Sequence, residues 1–135
     1  MNPEADAVVV RSSDPVRAVT AFTVADAGPD SSLSELAESM RAINCGALFV
    51  WRPSDSVPSI VSERDIVRAL ADGGDPTAGG IARPFPVTVD ADAPIGEAAS
   101  LMATAGVRHL LVQDGDRWGI VSVRDVLEPL VDSLE

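Results

Sequence analysis

The chain of 135 residues holds one cysteine, Cys45, and one histidine, His109. A single cysteine excludes an internal disulfide and a cysteine-based metal cluster. Cys45 falls in the apolar-leaning run from Ile43 to Trp51, where a small buried thiol is expected rather than a nucleophile. His109 has no second histidine with which to build a metal site. Ser12, Ser13 and Ser62 find no base oriented by a third group, so no catalytic serine is expected. Basic runs are missing too: 21 acidic residues stand against 10 basic ones, a net charge of −11 that argues against a nucleic-acid face. An anionic ligand would need a local basic pocket against that field. No apolar stretch reaches the length of a membrane span, and the N-terminus has neither the charged start nor the apolar run of a signal peptide. The expected setting is cytoplasmic, with no membrane contact.

What is present is the composition of a globular protein, 46% apolar and 23% charged. A chain of this length buries roughly two-thirds of the surface its unfolded form exposes. The informative feature is a repeat. Ile60-Val61-Ser62-Glu63-Arg64-Asp65 returns as Ile120-Val121-Ser122-Val123-Arg124-Asp125, sixty positions later. In each copy an apolar strand end runs into Ser-x-x-Asp, a helix-start signature, and then into an amphipathic stretch. Upstream the match continues at an offset of 62, pairing Glu35 with Glu97, Ala37 with Ala99, Met40 with Met102 and Val50 with Val112. The change from 62 to 60 places two extra residues in the polar turn from Arg52 to Pro58.

Leu33, Leu36, Ala37, Met40 and Ile43 follow the spacing of a helix with one buried face, with Asp30, Ser31 and Ser32 as candidate caps. The second copy uses Ile95, Ala98, Ala99, Met102 and Ala105, with Pro94 suited to the first turn. Each helix leads to two short apolar runs joined by a hairpin: 47–51 with 59–61, and 109–113 with 118–121 around the turn Asp114-Gly115-Asp116. A further apolar run precedes each helix, Ala21-Phe22-Thr23-Val24 and Pro86-Val87-Thr88-Val89. The fold class is therefore α/β (α+β), two tandem βαββα units. The expected division is an N-terminal extension over 1–18, a first repeat over 19–72, a turn-rich linker over 73–83 and a second repeat over 84–135. Within the extension, Val8-Val9-Val10 reads as part of a loosely ordered terminus, the alternatives being an added edge strand or a partner contact.

This pattern resembles the cystathionine beta-synthase-type (CBS) domain, and two copies in tandem resemble a CBS pair, or Bateman module. The resemblance rests on the two Ile-Val-Ser-x-Arg-Asp motifs in register with Gly106-Val107-Arg108-His109-Leu110-Leu111-Val112 and Pro84-Phe85-Pro86-Val87-Thr88-Val89, and covers about Val19 to Leu134. It implies two halves packed with pseudo-two-fold symmetry, forming a non-catalytic sensor for signal transduction. Its implied ligands are adenine nucleotides or related adenosyl compounds (AMP, ADP, ATP, S-adenosylmethionine or NAD), held in clefts between the halves with no covalent cofactor. A homodimer and a separate effector protein are implied as partners.

The motif chemistry agrees with such a ligand. A carboxylate can accept two hydrogen bonds from the paired ribose hydroxyls, a role for Asp65 and Asp125, while a serine hydroxyl and free helix N–H groups suit a phosphate, which Ser62 and Ser122 would take or whose site they would help shape. The same Ser-x-x-Asp is also a plain capping signature. By resemblance, adenine would be lined by Phe22-Thr23-Val24, Val87-Thr88-Val89, Gly46-Ala47 and Val107-Arg108, with Asp125 working beside first-half residues and Asp65 beside second-half ones. Arg64 and Arg124 are further contacts or helix-start ion-pair partners. The copies are not equivalent. Gly46 and Ala47 stand where the second half has Arg108 and His109, its two candidate phosphate contacts, and Ser59 stands where it has Gly119. A side chain at Ser59 would narrow the approach of a ligand, which makes the Asp125 site the stronger. Two other classes compete: an interaction module with degenerate clefts, and an enzyme, for which no nucleophile–base pair, metal cluster or Walker-type loop is found.

Overall fold

A parallel β-strand needs a neighbour to complete its ladder, and in both halves the hairpin supplies it. The computed structural model describes residues 10–133, so Val8, Val9 and residues 134–135 lie outside the described residues. In the first half, β1 (Asp26–Ala27) precedes α1 (Leu33–Ala42), β2 (Ala47–Val50), β3 (Ser59–Ser62) and α2 (Glu63–Asp72). A short helix α3 (Ala78–Ile81) follows, and the second half repeats the order with β4 (Thr88–Asp90), α4 (Ile95–Ala105), β5 (His109–Asp114), β6 (Arg117–Ser122) and α5 (Val123–Ser133). Each half forms a three-stranded sheet, β1-β2-β3 or β4-β5-β6, with the first pair parallel and the hairpin antiparallel. The expected tandem βαββα architecture is what the chain adopts.

One strand sits elsewhere than the apolar pattern predicts. The run Ala21–Val24 is not the strand of the first half. Strand β1 is Asp26–Ala27, paired with Phe49 and Val50, while Ala21 makes only an isolated bridge to Ile120. The ladder follows the 62-residue offset rather than hydrophobicity: Phe49 N–H donates to Ala25 O at 3.0 Å as Leu111 N–H donates to Val87 O at 2.9 Å.

The helices start as their sequences dictate, with one exception. Ser32 caps α1 in a full capping box with Glu35. Pro94, expected in the first turn of α4, instead precedes it with extended backbone (ψ 147°) and offers no side-chain cap. The free N–H groups of Ile95 and Gly96 are taken by the carbonyls of Asp14 and Ser12, both at 2.9 Å.

That contact introduces the main organising feature. The chain divides into two compact units, one of them Thr23–Pro86 and the other joining the residues before Thr23 to those from Val87 onward. Each unit therefore consists of one half's helices and sheet plus the lead-in segment of the other half. The lead-ins dock by the same bonds. Val16 N–H donates to Ala93 O (2.7 Å) as Ala78 N–H donates to Ser31 O (2.8 Å), and Arg17 N–H to Ala91 O (3.1 Å) as Gly79 N–H to Pro29 O (2.8 Å). All these positions are related by 62. Val16 and Ala78 are both wholly buried, each within its unit's core. Thus a segment expected as extension, and another expected as linker, each contribute a core residue.

The cores are otherwise built from the predicted faces, except that Ala37, Ile43 and Ala105, expected on the buried sides of their helices, are exposed. One contains Leu33, Leu36, Met40, Leu48, Val50, Val61 and Ile66; the other contains Ile95, Ala98, Met102, Leu110, Val112, Val121 and Val126. Val10 packs against the latter. Cys45 is half-buried and donates its thiol to Ala47 O at 3.0 Å.

Candidate functional site

The end of the second hairpin strand in each half delivers Ser-x-x-Asp to a helix N-terminus, and the two copies make nearly the same bonds. Ser62 N–H and Oγ–H donate to Asp65 Oδ2 at 2.8 and 2.9 Å, and Asp65 N–H donates to Ser62 Oγ at 3.3 Å. Ser122 and Asp125 repeat these at 2.8, 2.9 and 3.2 Å. The capping reading therefore holds for both motifs. It also limits the serines, because a hydroxyl has one proton and each is committed to the neighbouring carboxylate. In this geometry neither hydroxyl has a second proton to donate elsewhere.

Capping leaves the other carboxylate oxygen, and here the copies part. Asp65 Oδ1 accepts from Arg83 Nε at 3.2 Å and lies 3.0 Å from Arg83 Nη2. Two hydrogen bonds on Oδ2, and one hydrogen bond plus a close guanidinium contact on Oδ1, leave this carboxylate fully engaged. Asp125 Oδ1 has no such partner among the described residues, since the position 62 before Arg83 is Ala21. Both residues occupy the same structural place: Arg83 exchanges two backbone bonds with Ile60, and Ala21 exchanges two with Ile120. Asp65 is 8% exposed and Asp125 more open.

Around these carboxylates the expected asymmetry is present in space. Glu63 N–H donates to Gly46 O and Val123 N–H to Arg108 O, both at 3.0 Å, so Gly46 and Arg108 sit identically beside their motifs. A Cβ at Gly46 would lie 2.7 Å from Glu63 Oε1. The Asp65 end thus carries an extra acid where the Asp125 end carries Val123, and it lacks the exposed Arg108. Ala47 pairs with Ser62 and His109 with Ser122 across the hairpins. Arg64 and Arg124 are exposed and hold no ion pair among the described residues, so neither is a helix-start ion-pair partner.

The structure gathers Phe22, Val107, Arg108, His109, Ser122, Arg124 and Asp125 into one unit and Gly46, Ala47, Ser62, Arg64 and Asp65 into the other. Thr23 and Val24 fall in the unit of Asp65, and Thr88 and Val89 in that of Asp125. Val89 is buried in a core and Val24 packs against one, so neither presents an open slot wall. Phe22 instead lies against Gly119 and beneath the Arg117 guanidinium, 3.8 Å from its ring centre. Gly119 is required by the protein itself: a Cβ there would meet Thr20 Cγ2 at 2.5 Å, Ala21 O at 2.8 Å and Phe22 Cδ1 at 2.8 Å. The protein's own packing thus accounts for the glycine at this position. Ser59 is buried and its hydroxyl accepts from Arg52 Nη1 at 2.8 Å, while Nη2 reaches Gly79 O at 2.8 Å. Arg83 was not among the expected site residues. Its signal was available, as a cation present in one half and absent at the matching position of the other.

Among the described residues no cluster of three or more His, Cys, Asp or Glu is placed to hold a metal, and no helix is long and apolar enough to cross a membrane.

A repeated βαββα unit ending in this motif defines a tandem-repeat module, and comparison gives its family. The CBS domain model matches twice, over residues 24–72 and 78–132. The chain belongs to the CBS domain family. It is 32% identical over 108 residues to an uncharacterized 17.7 kDa protein of Acidianus ambivalens, covering 77% of this chain and 65% of that one. It is 36% identical over 108 residues to Hypoxic response protein 1 of Mycobacterium tuberculosis, covering 76% of each. The chain thus spans just under two-thirds of the first of these relatives. Among solved structures, a conserved protein from Pyrococcus horikoshii superposes with a TM-score of 0.78 at 23% identity, covering 88% of this chain and 93% of that one. Hypoxic Response Protein I with two coordinated zinc ions gives 0.66 at 31% identity, covering 84% and 96%. The CBS domain protein PAE2072 from Pyrobaculum aerophilum, complexed with AMP, gives 0.72 at 24%, covering 87% and 96%.

Proposed function

We propose that the protein is a non-catalytic sensor whose Asp125 motif binds an adenosyl ligand, with AMP as its simplest form, and which controls a separate effector. The observation that carries this reading is the carboxylate of Asp125. Its Oδ2 is fixed by Ser122, and its Oδ1 offers two lone pairs, the number that a ribose diol requires. Exposed Arg108 stands beside it for the phosphate, where the rest of the chain carries excess negative charge. AMP is also the ligand of a protein that shares this fold. Self-association belongs to the same reading: Val67 and Leu127, at matching positions on α2 and α5, are 63% and 51% exposed, which suits a homodimer.

Thermal unfolding with AMP, ADP, ATP, S-adenosylmethionine and NAD in turn tests the proposal. A ligand at a hundred times its dissociation constant stabilises the fold by about 2.7 kcal/mol. Asp125→Asn is expected to weaken AMP binding by about tenfold or more, the worth of a charge-assisted hydrogen bond. Asp65→Asn leaves that binding unchanged. No stabilisation by any of the five compounds refutes the reading, and turnover of AMP on long incubation would refute its non-catalytic part.

A further inference from the structure

We propose that Arg83 is an internal latch on the Asp65 motif, occupying the carboxylate oxygen that a ribose would otherwise take, so that only the Asp125 motif is open in the resting protein. This rests on the reading of Asp125 as a ribose-binding carboxylate. Three observations carry it. Arg83 Nε and Nη2 both converge on Asp65 Oδ1, at 3.2 and 3.0 Å, while Ser62 fills Oδ2. The matching residue of the other unit, Ala21, holds the same backbone bridge but has no side chain to reach Asp125. The Arg83 side chain is 50% exposed, so it can swing into water without opening the core, and a ligand can displace it.

The chemistry around the latch also names the class of ligand. Arg83 is tied to Asp65, Gly46 replaces Arg108, and Glu63 lies against Gly46. With no basic residue at Gly46 and an acid lying against it, the Asp65 end favours an uncharged nucleoside over a nucleotide. Its occupancy is then set by competition between the ribose diol and a guanidinium covalently present at high local concentration.

Calorimetric titration of the full chain with adenosine, which carries the diol and no phosphate, tests the latch. The wild type is expected to bind one adenosine per chain, lost in Asp125→Asn. Arg83→Ala and Arg83→Gln are expected to bind two, the second lost again when Asp65→Asn is added. Conversely, Ala21→Arg should install a latch on the open motif and weaken its adenosine affinity by about tenfold or more. A wild type that already binds two, an Arg83→Ala protein that still binds one, or an Ala21→Arg protein with undiminished affinity overturns the latch while leaving Asp125 as the ligand site. Absence of binding by the wild type and every variant, to adenosine and to AMP alike, overturns both. Circular dichroism melts of each variant confirm that a change in stoichiometry is read on folded protein.

Discussion

Replacing Gly119 by alanine is expected to destabilise the ligand-free protein, by lifting the lead-in segment off β6. A Cβ at this position would sit 2.8 Å from the carbonyl oxygen of Ala21 and 2.5 Å from Thr20 Cγ2. The threonine side chain is itself held, its hydroxyl donating to Val16 O at 2.7 Å, and the carbonyl is backbone, so neither can yield by rotation alone. Ala21 and Ile120 exchange two hydrogen bonds of 2.9 Å that must lengthen if the segment moves. Forced overpacking costs about 1–3 kcal/mol and each lost hydrogen bond about 1 kcal/mol, so the penalty is about 2–5 kcal/mol. For a chain of this size that lowers Tm by on the order of 10 °C. Thermal and urea unfolding measure the loss, and amide hydrogen exchange at Ile120 locates it, because that N–H loses its acceptor. Melting within about 2 °C of wild type, or unchanged protection at Ile120, would refute the assignment of Gly119 to internal packing.

A glycine with room behaves oppositely. Gly96 lies in the first turn of α4, where a Cβ would meet Ser12 O only at 3.5 Å, so Gly96→Ala should raise stability by about 0.5–1 kcal/mol in urea unfolding. Val16→Ala removes a wholly buried side chain from the lead-in and should cost about 2–3 kcal/mol in the same assay, whereas a loosely attached terminus would show no loss.

Local signals were legible where local chemistry decides. A cap among Asp30, Ser31 and Ser32, the hairpin turn after Asp114 and most of the amphipathic faces of α1 and α4 follow from residues close together in the chain. The displaced first strand shows the limit of hydrophobicity as a guide. Ala21-Phe22-Thr23-Val24 is the more apolar run, yet a parallel strand goes where the pairing with β2 places it, and that register is carried by Asp26–Ala27. Carrying the offset of 62 back past the helix would have found it. The exchange of lead-ins was not legible by any such count. A repeat says which residues are equivalent but not which half each one packs against, and that depends on contacts about 75 residues apart, such as Arg17 with Asp92.

The lead-ins also explain why the two motifs differ so sharply on a common frame. Each unit receives at its motif a residue from the other half of the sequence, Ala21 or Arg83, delivered by the same bridge to Ile120 or Ile60. The delivered residue can vary without disturbing strand pairing, since the bridge uses backbone only. Arg83 compensates an end that holds Asp65 and Glu63 without Arg108, and Ala21 adds no charge to an end that has Arg108 and carries Val123 in place of Glu63. Charge balance at each motif is therefore achieved by different means. In one unit the cation is bound to the carboxylate itself, and in the other it stands beside the motif without pairing to its carboxylate among the described residues. A duplicated fold with exchanged segments can in this way give its two motifs different surroundings, with the delivered side chain at the bridged position adding to the differences at Gly46 and Glu63.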